Sequence, residues 1–185
     1  TAVDGGKCIN TSMGLTPLGG IMMGTRCGDI DPAIIPFVMK KTGMTPDEMD
    51  NALNKKSGML GISGISSDAR DIENAVAEGN ERAILTQELY VNRAINVIGG
   101  YYMQLGGCDA LVFTAGLGEN DTNLRHQICE KLEKAIDLKM NYELNDKTRG
   151  KELRISTDDS KIQAWIVPTN EELMIARDTY SLLGF

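Results

Sequence analysis

Apolar positions recur at three- and four-residue steps from Glu81 to Leu105, where Ile84, Glu88, Val91, Ile95 and Ile98 trace one face. This predicts a long helix through the core, ended by Gly106-Gly107. Asp31 before Pro32 predicts a helix start, and Ile34, Ile35, Phe37 and Val38 carry that helix to about Lys41, with Gly43 as its stop. Thr45-Pro46-Asp47-Glu48 reads as a capping box opening a second helix, with Met49 and Leu53 as its buried stripe. Short continuous runs predict strands. Asp109 to Ala115 is bounded by glycines and reads as a strand buried on both faces; Lys161 to Val167 reads as another. Each is followed by a polar turn, Gly116-Leu117-Gly118-Glu119-Asn120 or Pro168-Thr169-Asn170-Glu171-Glu172. Helices then run from about Thr122 to Ile136 and from Leu173 to Leu183.

The chain opens with a strand, a tight Asp4-Gly5-Gly6 turn and a second strand to Ile9, so it is expected to begin inside a hairpin of a larger protein. Residues 10–29 are rich in Gly, Thr and Met and predict a structured loop. Ser57 to Ser67, with three glycines, reads as a loop leading to a helix capped near Asp68. Residues 141–160 read as an exposed loop around a short Glu152 to Ile155 strand. The pattern is α/β, and its two strand-turn-helix units put their turns at carboxyl ends of strands, where open α/β sheets bind ligands.

A length of 185 residues fits roughly one domain with a real core. The net charge of −7, without a Lys/Arg-rich run, argues against a nucleic-acid or anionic-membrane surface. Four cysteines, at 8, 27, 108 and 129, lack zinc spacing and are too sparse for a disulfide framework, which fits free thiols in the cytoplasm. No signal peptide or apolar stretch long enough to span a membrane is present. The single histidine, His126, reads as a surface helix position and excludes a multi-histidine metal site; the ten methionines read as core filler.

Several constellations could carry chemistry. Gly116 to Asn120, after a strand, suits close backbone approach to a nucleotide, or is a tight structural turn. Glu171 and Glu172 either cap a helix dipole or supply one ligand to a hard cation through water. Arg26, among glycines in Met22-Met23-Gly24-Thr25-Arg26-Cys27-Gly28-Asp29-Ile30-Asp31, suits phosphoryl recognition; it could equally pair with Asp29 or Asp31, or be solvated. Asp68 and Arg70 either hold a ribose and stack on a base or form a helix cap with a solvated arginine. Cys27, beside Arg26, could be a lowered-pKa thiol, but no base lies near it in sequence.

The segments Met23 to Pro32, Ser67-Asp68-Ala69-Arg70, Phe113 to Asn120 and Pro168 to Glu172 together resemble acetate kinases in order and spacing, over essentially the whole chain and matching the C-terminal half of that family. The resemblance implies a ribonuclease-H-like α/β domain of the acetate and sugar kinase, heat-shock ATPase and actin superfamily. It implies that residues 1–185 are the nucleotide-binding and dimerising domain of a two-domain kinase whose N-terminal domain is absent. The implied reaction is reversible transfer of the ATP γ-phosphoryl group to acetate, giving acetyl phosphate and ADP with Mg²⁺. Arg26 would be the transition-state stabiliser. Asp68, Ala69 and Arg70 would hold adenosine, Gly116, Leu117, Gly118, Glu119 and Asn120 its ribose and phosphates, and Glu171 the Mg²⁺, with Glu172 its competitor. The chain alone is expected to be inactive, because the missing half carries further catalytic residues. Close alternatives are half of a propionate or butyrate kinase, or a non-catalytic nucleotide-binding or dimerisation domain.

Overall fold

The N-terminal hairpin forms as its turn residues dictate. In the computed structural model, which describes residues 1–184, β1 (Ala2–Asp4) pairs antiparallel with β2 (Lys7–Asn10). Gly5 and Gly6 supply the φ of +53° and +78° that a two-residue loop of this hand needs. The described residues divide into two units, Thr1–Cys108 and a second from Asp109 onward.

In the first unit, residues 11–33 form the expected irregular loop. Asp31 accepts the Ala33 N–H at 2.8 Å, but this closes a turn at Pro32 and Ala33 and does not cap the helix: α1 (Ile34–Thr42) has Ala33 at its N-cap, without a side-chain bond, and starts two residues later than the Pro32 pattern predicted. Gly43, at φ +75°, stops it. The capping box of α2 (Pro46–Lys55) is fully formed: Thr45 Oγ1 accepts from Glu48 N, Glu48 Oε2 accepts from Thr45 N, and Met49 is buried. Helix α3 (Gly58–Ser63) lies where the glycines predicted only loop; its Gly58 and Met59 are buried, so tertiary packing overrides weak propensity. Asp68 caps α4 (Ala69–Ala77), and Asn80 caps α5 (Glu81–Leu105), whose limits match the prediction.

The buried face of α5 differs from the expected one. Ala83, Thr86, Gln87, Val91 and Ala94 are buried, while Ile84, Leu85 and Leu89 are 36%, 46% and 39% exposed. Small residues let α3 and α4 approach α5 closely, and Ala83 joins Ile72, Ala75 and Val76 in the core. The larger aliphatic side chains are left on the outer side.

In the second unit, β3 (Ala110–Phe113) runs parallel to β5 (Gln163–Ile166), and β4 (Leu153–Arg154) pairs antiparallel on the other side of β5, giving the order β3-β5-β4. As an edge strand, β3 is not buried on both faces: Phe113 is buried but Val112 is 51% exposed. Residues 115–120 are not a turn but the short helix α6 (Ala115–Asn120), and α7 (Thr122–Glu133) follows with Asp121 as its cap. Residues 141–160 are more ordered than expected: they include α8 (Tyr142–Asp146) and the buried Asn145, Thr148, Ile155 and Ser156. The last helix, α9 (Glu171–Leu182), takes both glutamates into its first turn and buries no residue.

Candidate functional site

Arg26 sits on a segment fixed by backbone hydrogen bonds rather than by regular structure. The carbonyls of Met23, Gly24 and Thr25 accept from Met59 N (2.9 Å), Leu60 N (2.9 Å) and Ser57 N (3.0 Å), and Cys27 N donates to Leu53 O (3.0 Å). Thr25 Oγ1 adds a bond to Asn54 O at 2.9 Å. The loop is thereby fastened to the junction of α2 and α3. The Arg26 guanidinium approaches the Met23 sulfur at 3.4 Å and pairs with no carboxylate among the described residues. The pairing considered with Asp29 or Asp31 does not form, because Asp29 Oδ1 accepts from Gly20 N (2.7 Å) and Asp31 Oδ1 accepts from Ala33 N. Arg26 lines an open groove of about 320 Å³ with Met23, Gly24, Thr25, Lys55 and Ser67. Two cations and no carboxylate on one groove suit a phosphoryl group. Burial pushes the Cys27 thiol up, and its Sγ–H donates to Gly28 O, both opposite to what a low-pKa thiol needs.

Ser67 leads into Asp68, whose carboxylate does two things. Oδ1 accepts from the Arg70 backbone N–H at 2.9 Å, and the two oxygens receive Arg70 Nε and Nη2 at 3.1 and 2.6 Å. The Arg70 side chain, donating to the carboxylate, holds Asp68 at about 2. A carboxyl depressed in the folded state contributes stability above its unfolded value near 3.9, lost as pH falls through about 2. The Asp68 carboxyl is therefore expected to titrate near pH 2 by NMR in the native chain, and a midpoint near 4 would contradict the pair. The cap reading and the paired arginine are both present here; Ala69 is the first residue of α4.

In the second unit, β3 and β5 are parallel, so the segments that follow them leave the sheet at the same end. Glu119 joins these segments: its Oε1 accepts from Thr169 N (2.9 Å) and Thr169 Oγ1 (3.0 Å). Asn120 turns back to donate to Gly116 O (3.0 Å), and Gly118 packs against the Phe113 backbone. Ala115 has φ +58°, an outlier for a residue with a Cβ. Glu171 is exposed and makes no hydrogen bond or ion pair among the described residues. No cluster of three acidic, histidine or cysteine side chains suited to a metal occurs among them. A lone free carboxylate fits a Mg²⁺ held mostly by waters and phosphate oxygens. His126 lies on the surface of α7, its ring 4.4 Å from Tyr142 and Nδ1 3.6 Å from Asp146.

Sequence reasoning missed three supporting residues. Lys55 shares the Arg26 groove, and nothing in its local sequence marks it. Arg125 is fully buried and donates to Gly118 O, and Arg149 donates to Asn120 O. Arg125 carried a legible signal, since it sits on the apolar stripe of Ile128, Cys129 and Leu132.

The acetokinase family model matches residues 1–177. The chain belongs to the acetokinase family. It is 57% identical over 182 residues to acetate kinase from Treponema denticola and 55% identical over 182 residues to that from Clostridioides difficile, covering 98% of this chain and 45% of each relative. The chain thus spans about half the length of the curated relatives it matches. The crystal structure of Porphyromonas gingivalis acetate kinase superimposes with a TM-score of 0.92 at 44% identity, over 98% of this chain and 45% of that one. A propionate kinase from Francisella tularensis gives 0.88 at 41% identity, over 96% and 44%. Acetokinase membership gives the chain the α/β fold of the acetate and sugar kinase, heat-shock ATPase and actin superfamily. No helix of the described residues is long and apolar enough to cross a membrane.

Proposed function

We propose that this chain is the nucleotide-binding and dimerising half of an acetate kinase, a cytoplasmic enzyme that reversibly transfers the ATP γ-phosphoryl group to acetate. The observation that carries the reading is Arg26: a guanidinium without a carboxylate partner among the described residues, beside Lys55 on an open groove. In the reaction an acetate oxygen forms a bond to the γ-phosphorus in line with the breaking bond to the ADP oxygen, and acetyl phosphate and ADP leave. Arg26 takes the charge that spreads over the equatorial oxygens, which is where such catalysis gains most. Asp68, Ala69 and Arg70 bind the adenosine, and Gly116 to Asn120 the ribose and phosphates. Glu171 would hold Mg²⁺ through water, and the ion would supply neutralisation of phosphate charge.

The N-terminal domain of the whole protein supplies the remaining catalytic residues and the acyl pocket, so the chain alone does not turn over acetate. The exposed Ile84, Leu85 and Leu89 on α5 support homodimer contact through this half. The test is calorimetric titration of the chain with Mg-ATP, beside a variant carrying Asp68→Ala and Arg70→Ala. Saturable binding that the variant loses, with its circular dichroism unchanged, is the expected result. Equal binding by both proteins overturns the nucleotide assignment, and acetate-dependent ATP turnover by the chain alone overturns its inactivity without the other half.

A further inference from the structure

Three consecutive carbonyls close the segment Gly116–Asn120, and each is occupied from the same neighbouring stretch of chain or through it. Gly118 O accepts from Arg125 Nη1 (2.9 Å), Glu119 O accepts from Gly150 N (3.0 Å), and Asn120 O accepts from Arg149 Nη1. Arg125 is fully buried, and three of its other donors go to Asn145 Oδ1 (2.8 Å), Asn145 O (3.4 Å) and Thr148 O (2.6 Å). Asn145 is itself fully buried and donates to Thr122 O (2.9 Å). A leucine on this stripe of α7 would satisfy packing without the desolvation that a buried guanidinium suffers. What the arginine adds is direction: its planar fork fixes Gly118 O relative to the 145–148 backbone.

We infer that Arg125 and Arg149 are positioning residues that clamp Gly116–Asn120 in the shape that receives nucleotide. The inference rests on the proposed reading of that segment. The clamp holds the end of the segment through the carbonyls of Gly118 and Asn120. Arg125 acts from the buried side and Arg149 from the surface.

The experiment compares the wild-type chain with Arg125→Lys, Arg149→Ala and Arg149→Lys, by amide hydrogen exchange across residues 115–122 and by calorimetric titration with Mg-ATP. Loss of one charge-assisted bond predicts exchange about tenfold faster in that segment and nucleotide binding about tenfold weaker for Arg149→Ala. For the Arg149 variants, exchange in β3 and β5 and the thermal midpoint are expected to stay put, and Arg149→Lys, which keeps the charge and a donor, is expected to recover part of the affinity. Arg149 is exposed, so its variants fold whatever becomes of the buried substitution. Unchanged exchange in the segment overturns the clamp. A wild-type chain that binds nucleotide while the arginine variants bind equally well also overturns it. A wild-type chain that binds none overturns the reading of the segment, and the clamp's role in nucleotide binding with it.

Discussion

Replacing Gly58 with alanine is expected to lower the unfolding free energy by about 3 kcal/mol, the sum of a left-handed backbone penalty and an overpacking penalty. Gly58 has φ +62°, and a Cβ there would stand 2.1 Å from Met23 O, 2.7 Å from Arg26 O and 3.0 Å from Arg26 N. All three are backbone atoms, so no side-chain rotation relieves the contact. The Met23 carbonyl is also the acceptor for Met59 N–H, and the loop that presents Arg26 would have to move as a piece. Gly64 is the control. It has φ +68° but nothing within 4 Å of its would-be Cβ, so alanine there incurs only the conformational penalty of about 1 kcal/mol. Urea unfolding of both variants checks the difference; equal losses would show that the close approach of Gly58 to the arginine loop contributes nothing.

Arg26→Ala in the complete enzyme is expected to reduce kcat by about 10³-fold, equivalent to about 4 kcal/mol of transition-state stabilisation. The KM for nucleotide should change far less, because the proposed adenosine contacts lie elsewhere, at Asp68 to Arg70. Lys55 shares the groove but offers a single point charge, so it does not replace a planar, bidentate donor. Arg26→Lys should therefore recover little of the loss. Steady-state kinetics in the acetyl phosphate-forming direction gives the outcome. A fall in nucleotide affinity with kcat intact would assign Arg26 to ground-state binding and withdraw its catalytic role.

Elements whose ends are set by local chemistry were legible from the sequence. The Asp4-Gly5-Gly6 turn, the Thr45 to Glu48 box and the limits of α5 between Asn80 and Gly106 each depend on side chains or glycines within a few residues of the backbone they satisfy. What escaped was set at long range. Helices α3 and α6 form from glycine-containing segments because Arg26's loop, Phe113, Arg125 and Arg149 hold them. The buried face of α5 follows the small residues that α3 and α4 can approach rather than the large aliphatic ones. Among the candidate site residues, the setting of Arg26 was readable from its glycine neighbours, whereas its groove partner Lys55 comes from α2, twenty-nine residues on.

The Glu119 carboxylate, shared by both donors of Thr169, has a thermodynamic corollary. A ligand hydroxyl that drew Glu119 toward itself would release Thr169 two residues before α9 begins, and any force that displaced α9 would in turn change how strongly Glu119 could be recruited. Such linkage is reciprocal by necessity: whatever free energy the ligand spends in loosening the C-terminal helix, a partner that holds that helix seated subtracts from ligand affinity in the same measure. Since α9 buries none of its own residues, little of its own packing resists such a shift, and a single carboxylate couples its N-terminal approach to the site.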